Sequence, residues 1–192
     1  MIELFFRSAI SENMALYFFL GTCPLISIST DLRAAWQMGV TVTLVMISTM
    51  AVNWVTFYHI LRPAGLEYLQ LLFFILTIAA VVQFLEIFLD RFFPAVYSSF
   101  GIFLPLIAVN CAILGVSMFA VLKELNFAES VIFASGAGMG WSLVLCLIAS
   151  LRRRVVREAV PAELGNVGLT MVIAAVAAMA FSGLTGLEFP GS

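Results

Sequence analysis

The sequence predicts an all-α integral membrane protein of six transmembrane helices, arranged as two inverted three-helix repeats with helices 1 and 4 broken. Three observations predict it. The chain of 192 residues is 63% hydrophobic and 10% charged, with a mean hydropathy of +1.13, whereas soluble domains are nearer half apolar and a quarter charged. Its apolar residues fall into six runs of about the 20 residues that a bilayer-spanning helix needs. A short cysteine phrase flanked by helix breakers occurs twice, once in each half.

In order, the runs cover about 3–28, 39–61, 68–89, 98–122, 129–151 and 166–187. Ser29–Met38 separates the first two and carries Asp31 and Arg33; Leu61–Glu67 follows with Arg62, Pro63 and Gly65. Asp90–Ser99 carries Arg91 and Pro94, Lys123–Glu129 is short, and Leu151–Gly165 carries Arg152, Arg153, Arg154 and Arg157. No polar stretch approaches the roughly 50 residues of a folded extramembrane module. The chain therefore reads as one membrane domain, 1–192, and any chemistry on soluble nucleotides or flavins falls to partners.

Charge sets the expected orientation. The loops after spans 1, 3 and 5 hold six of the nine Lys and Arg residues; the other side holds Arg7, Arg62 and Lys123. The positive-inside rule then places those loops in the cytoplasm and both termini outside. The net charge of −2 says nothing about nucleic acid, but no basic face is large enough to bind it, so no nucleic-acid partner is expected. The start, Met1–Ser8, lacks a basic n-region and is not expected to be a cleavable signal.

The repeat is centred on Cys23 and Cys111. C-P-L-I-S-I-S (Cys23–Ser29) and C-A-I-L-G-V-S (Cys111–Ser117) share aliphatic residues two and three places after the cysteine and serine at six. Breakers recur as well, Gly21 and Pro24 in one half, Pro105 and Gly115 in the other. Three spans per half is an odd number, so the second repeat (about 96–192) must run inverted relative to the first (about 1–95). Broken helices free backbone groups that lipid cannot satisfy, and in inverted-repeat folds they meet near the midplane. The expected picture is two half-helices pointing at each other, each with a thiolate near its tip.

Two thiolates are too few for a four-ligand iron–sulfur cluster. If they bind metal, a second chain supplies the remaining ligands; a disulfide between them is the other possibility. Cys146, in an ordinary apolar span, reads as a small buried hydrophobe.

Other polar residues are judged by where they fall. Glu12 and Asn13 lie in span 1 and Glu86 two-thirds along span 3, where carboxylates are costly and hence candidates for an ion pathway; a hydrogen-bonded carboxyl near the interface is the plainer reading of Glu86. Asn110 is placed to donate to the neighbouring Cys111 sulfur, to cap a half-helix, or to bond across to another helix. His59, beside Tyr58 at a span end, reads as interfacial. Gly136, Gly138 and Gly140 follow no strand, so they mark close helix packing rather than a dinucleotide loop. The charged loop Arg152–Glu163 is a docking surface for a cytoplasmic partner or simply an orientation signal.

At these residues the chain resembles a known family of membrane subunits. It is shared by the sodium-pumping NADH:quinone oxidoreductase (the E subunit of Nqr) and the Rnf ferredoxin:NAD oxidoreductase (the A subunit of Rnf). The resemblance runs through E-N-M-A-L-x-F-F-L-G-T-C-P (Glu12–Pro24), V-V-Q-F-L-E-I-F-L-D-R-F-F-P (Val81–Pro94), G-I-F-L-P-L-I-A-V-N-C-A-I-L-G (Gly101–Gly115), F-A-E-S-V (Phe127–Val131) and F-S-G-L-T-G (Phe181–Gly186). E-N-M-A-L, D-R-F-F-P and F-A-E-S-V are similar to the Nqr branch, whereas Cys23-Pro24 and the short Arg62–Tyr68 loop are similar to the Rnf branch.

The resemblance implies a multi-pass subunit of the bacterial inner membrane that pairs with a homologous subunit of inverted topology (Nqr D or Rnf E type) in a larger redox complex. It implies that Cys23 and Cys111, but not Cys146, give half the ligands of a shared [2Fe–2S] cluster. That cluster would relay electrons across the membrane, coupled to translocation of Na+ or H+, with Glu86 at an acidic position associated with cation uptake. Two other classes stay open from the residues alone: a small inverted-repeat transporter whose broken helices bind a solute, and a structural scaffold with inert cysteines.

Overall fold

A computed structural model describes residues 2–11, 13–28, 32–92, 107, 110–155 and 165–185. Among them the ordered elements are all helical. Helix α1 (Ile2–Phe6) widens into a π-helical turn, Arg7–Ser11, and residues 13–21 are non-helical before α2 (Thr22–Ile28) begins. Helix α3 (Leu32–Thr56) continues through a second π-helical turn, Phe57–Leu61, into the short piece Arg62–Ala64. After a 3₁₀ turn (Glu67–Leu69) come α4 (Gln70–Phe92), α5 (Cys111–Leu122), α6 (Phe127–Val155) and α7 (Gly165–Thr185).

Three helical stretches among the described residues, 32–64, 67–88 and 127–155, are long and apolar enough to cross a membrane; two shorter apolar helices, 111–122 and 167–183, accompany them. Most of these boundaries lie close to the expected spans, and two differ usefully. Part of the expected loop Ser29–Met38 is helix from Leu32 onward, and α6 runs on through Arg152, Arg153 and Arg154. Hydropathy marks where a span turns polar. The helix itself continues, because Leu, Ala and Arg are strong helix formers and long basic side chains reach outward to water.

The packed centre is α3 against α6. Ala35, Met38, Val42, Val45, Met46 and Met50 line one side, and Ala134, Ala137, Trp141, Leu145 and Ile148 the other, at the three- and four-residue spacing of a single helix face. The glycines of α6 permit the closeness. A Cβ on Gly138 would come within 2.9 Å of the Thr43 methyl of α3, while Cβ atoms on Gly136 and Gly140 would collide with Ser8 and the Ala9 carbonyl of the α1 segment. The expected close-packing role of this run is therefore what the fold uses. Helix α4 is peripheral: Phe74, Ile78 and Val82 form its buried stripe, and Leu72, Ile75, Leu76, Phe84 and Ile87 face outward.

The two ends of the bundle differ chemically. At one, Arg33 and Arg153 line a shallow pocket with Leu32 and Trp36. At the other, the Trp54 indole N–H donates to the Leu125 carbonyl at 3.1 Å, with Tyr58 and Phe127 packed on its ring and Arg62 over Tyr58. His59 is exposed beside this group. An aromatic cluster at one end and a basic one at the other is the layout of a bundle that crosses both membrane interfaces.

Candidate cysteine site between two half-helices

The first break begins where the widened turn Arg7–Ser11 ends. Asn13 is buried there and replaces the helix hydrogen bonds the chain gives up: its Nδ2 donates to the Ala9 carbonyl, and its Oδ1 accepts from the Ala15 amide, both at 3.0 Å. Met14, Ala15 and Leu16 then enter the core as irregular backbone, held by Tyr17 N–H to the Asn13 carbonyl and Leu20 N–H to the Met14 carbonyl, each 2.9 Å. Such backbone survives at membrane depth only when protein surrounds it. Gly21, at φ +77°, turns the chain into α2. Pro24 falls in the first turn of α2, where its missing N–H costs nothing.

The second break ends at Asn110. Its backbone is extended, and its side-chain Oδ1 accepts from the Ala112 amide at 3.0 Å, the standard N-cap of α5. Of the roles left open for Asn110, capping is one that its Oδ1 performs. Gly115, expected to interrupt this span, does not; it lies inside α5, and a Cβ there would sit 2.6 Å from Leu20 Cδ1. It is a contact glycine, and the interruption lies before the cysteine. Pro105 and Glu12 fall outside the described residues.

The two phrases meet. The Gly21 N–H, two residues before Cys23, donates to the Cys111 sulfur at 2.9 Å across 90 positions of chain. From this meeting point α2 and α5 run to opposite ends. The Ile26 carbonyl in the last turn of α2 accepts from Arg152 of the basic end, whereas α5 leads through Lys123 to Leu125 of the aromatic end. Cys111 is half-buried and Cys23 is exposed on the surface of the chain; all three cysteines are free thiols, with no disulfide between Cys23 and Cys111.

One residue that sequence reasoning did not single out, Trp141, belongs to this site, and one that it assigned to a surface loop, Arg152, proves to be buried. Trp141 is the central residue of α6, fully buried, and its Nε1 lies 2.5 Å from where a Gly21 Cβ would stand. Its neighbour Gly140 is the signal that could have found it, since a glycine run marks close approach of another backbone. Arg152 is 4% exposed and its Nη1 donates to the Ile26 carbonyl at 3.4 Å. An arginine at a helix C-terminus satisfies orphan carbonyls and opposes the helix dipole. Arg152 is thus part of the fold rather than of the expected loop surface, while Arg153 and Arg154 remain exposed.

The remaining candidates lie apart. Glu86 is half-buried on the peripheral helix α4. Cys146 lines an apolar groove of about 630 Å³ with Phe6, Trp36, Leu44 and Met139. Among the described residues no three His, Cys, Asp or Glu side chains gather to hold a metal within this chain. The two thiols, Cys111 accepting an N–H bond and Cys23 exposed, could supply at most half of the four ligands an iron–sulfur cluster needs.

Apolar helices long enough to cross a membrane, around an interrupted and internally hydrogen-bonded centre, define a polytopic membrane protein. Comparison narrows this class. Residues 1–188 match the family described as Rnf-Nqr subunit, membrane protein, and the chain belongs to that family. Its relatives include proteins named as the E subunit of Na(+)-translocating NADH-quinone reductase. Those from Psychromonas ingrahamii (40% identical, covering 97% of this chain and 98% of the relative) and Serratia proteamaculans (42%, 97% and 98%) are two of them. The protein of that name from Nitrosomonas europaea is 42% identical, with 96% of each covered.

Proposed function

We propose that this chain acts as the E-type membrane component of a Na+-translocating NADH:quinone reductase in the bacterial inner membrane. In this reading Cys23 and Cys111 supply half the ligands of a [2Fe–2S] cluster, completed by a homologous subunit of opposite topology. The observation that carries it is the 2.9 Å hydrogen bond from Gly21 N–H to Cys111 Sγ, which joins the two cysteine phrases at the ends of two half-helices. The names of the relatives support the Nqr branch and Na+ as the ion. Opposite courses of α2 and α5 support two inverted repeats, about 1–95 and 96–192, and the arginine-rich end supports a cytoplasmic face there with both termini outside.

Each residue has a physical task. Cys23 and Cys111 hold the group, which when bound accepts and passes on one electron at a time. Exposed Cys23 leaves a ligand open towards the partner, and Cys111 starts a 12-residue helix whose N-terminus favours negative charge. Gly21 donates to the sulfur, and the packed residues Met14, Ala112 and Trp141 keep water out. Glu86 is assigned to the ion pathway because its position on α4 leaves a carboxyl at membrane depth.

The test is spectroscopic, on the assembled complex. A [2Fe–2S] electron paramagnetic resonance signal should vanish in Cys23→Ala and in Cys111→Ala and persist in Cys146→Ala. A signal that survives Cys111→Ala overturns the assignment.

A further inference from the structure

Among the described residues, three buried side-chain atoms lack a hydrogen-bond partner, and two of them are donors: Trp141 Nε1 and Asn110 Nδ2. Both belong to residues at least nine-tenths buried, Trp141 at 0% and Asn110 at 4% exposure. Both also border the same glycine. A Cβ on Gly21 would stand 2.5 Å from Trp141 Nε1 and 3.1 Å from Asn110 Oδ1, and Gly21 itself donates to Cys111 Sγ. An unmet donor in an apolar interior costs roughly 1–3 kcal/mol, so two of them on residues that border Gly21, whose own N–H reaches the Cys111 sulfur, call for an electron-rich acceptor. Other tryptophans in the chain show the contrast: Trp54 spends its N–H on the Leu125 carbonyl, and Trp36 is exposed.

We propose that Trp141 and Asn110 are tuning residues for the cysteine site. Their N–H groups, with that of Gly21, form a donor pocket that stabilises the additional negative charge of the reduced iron–sulfur group. This rests on the cluster reading above. Donors to cluster sulfurs raise the reduction potential, because they favour the more negative, reduced state. Asn110 divides its amide between two tasks, Oδ1 capping α5 and Nδ2 serving the site. Trp141 contributes a rigid donor from the middle of the longest helix, fixed where α6 passes the break.

The test uses the assembled complex with tryptophan labelled by ¹⁵N in the indole ring. Pulsed electron paramagnetic resonance on the reduced cluster should show a ¹⁵N coupling that is lost in Trp141→Phe, which removes the N–H and retains an aromatic ring. The same substitution should displace the one-electron equilibrium by about tenfold towards the oxidised form, ~59 mV to the negative side; Asn110→Ser, which retains a cap acceptor, should shift it in the same direction. A wild-type cluster signal without ¹⁵N coupling overturns the donor role of Trp141, and that measurement stands even where Trp141→Phe fails to assemble. An unchanged potential in both variants overturns the tuning role. Absence of any cluster signal from the wild-type complex removes the cluster reading and this proposal with it, an outcome distinct from the other two.

Discussion

Gly21 donates its backbone N–H to the sulfur of Cys111 at 2.9 Å, although the two residues are 90 positions apart. The contact depends on Gly21 having no side chain. Its left-handed φ of +77° and the nearness of Trp141, Ala112 and Asn110 leave no room for a Cβ. One residue thereby sets the course of the first half-helix and the environment of the second cysteine.

Substituting Gly21→Ala is expected to cost about 2–5 kcal/mol, from left-handed strain of ~1–2 kcal/mol and overpacking of ~1–3 kcal/mol. Gly65→Ala is the matched control. It shares a positive φ of +66° but has nothing within 4 Å of the new methyl, so only the strain remains. Thermal denaturation of the complex in detergent should rank the two clearly; equal losses would mean that Gly21 is not tightly enclosed.

The cap on α5 makes a separate prediction. Asn110→Ala should destabilise by ~1 kcal/mol through loss of the bond to the Ala112 amide, and Asn110→Asp should recover most of it. Denaturation midpoints of the two variants measure the difference. Equivalent behaviour would mean the cap contributes nothing.

Arg152 should matter where its neighbour does not. Removing the buried guanidinium in Arg152→Ala uncaps the Ile26 carbonyl and should cost roughly 1.5–3 kcal/mol, the range for hydrogen bonds to charged groups. Exposed Arg153→Ala should fall within about ±0.5 kcal/mol. Hydrogen exchange at the α2 amides should also quicken in Arg152→Ala as α2 loosens, and an unchanged exchange rate would separate Arg152 from α2.

On the outer helix, Glu86→Gln should raise the Na+ concentration for half-maximal turnover and leave the cluster spectrum intact. Steady-state titration with NaCl is the measurement. Unaltered Na+ dependence would take Glu86 out of the ion pathway.

Close packing at α6 is tested by contrast as well. Gly140→Ala drives a methyl into the Ala9 carbonyl and should cost ~1–3 kcal/mol, whereas Gly183→Ala, with nothing within 4 Å, should lie within about ±0.5 kcal/mol. Similar melting temperatures for both would disprove the tight seat of α1.

The helical membrane class, the long spans, the family and the two cysteine phrases that the fold brings into contact were all legible in the sequence. They are written in composition, in runs of apolar residues and in a repeated phrase, all local quantities. Which breakers break was settled by packing. Gly21 turns the chain, whereas Gly115, the same residue type in the matching phrase, continues a helix and makes room for Leu20. Packing also settled that Arg152 turns inward while Arg153 stays out, and that Trp141 stands beside Gly21 with its N–H unmet. The physical reason is common to all three. A backbone's need for space and a buried donor's need for an acceptor are set by neighbours from distant parts of the chain, and no window of sequence contains both.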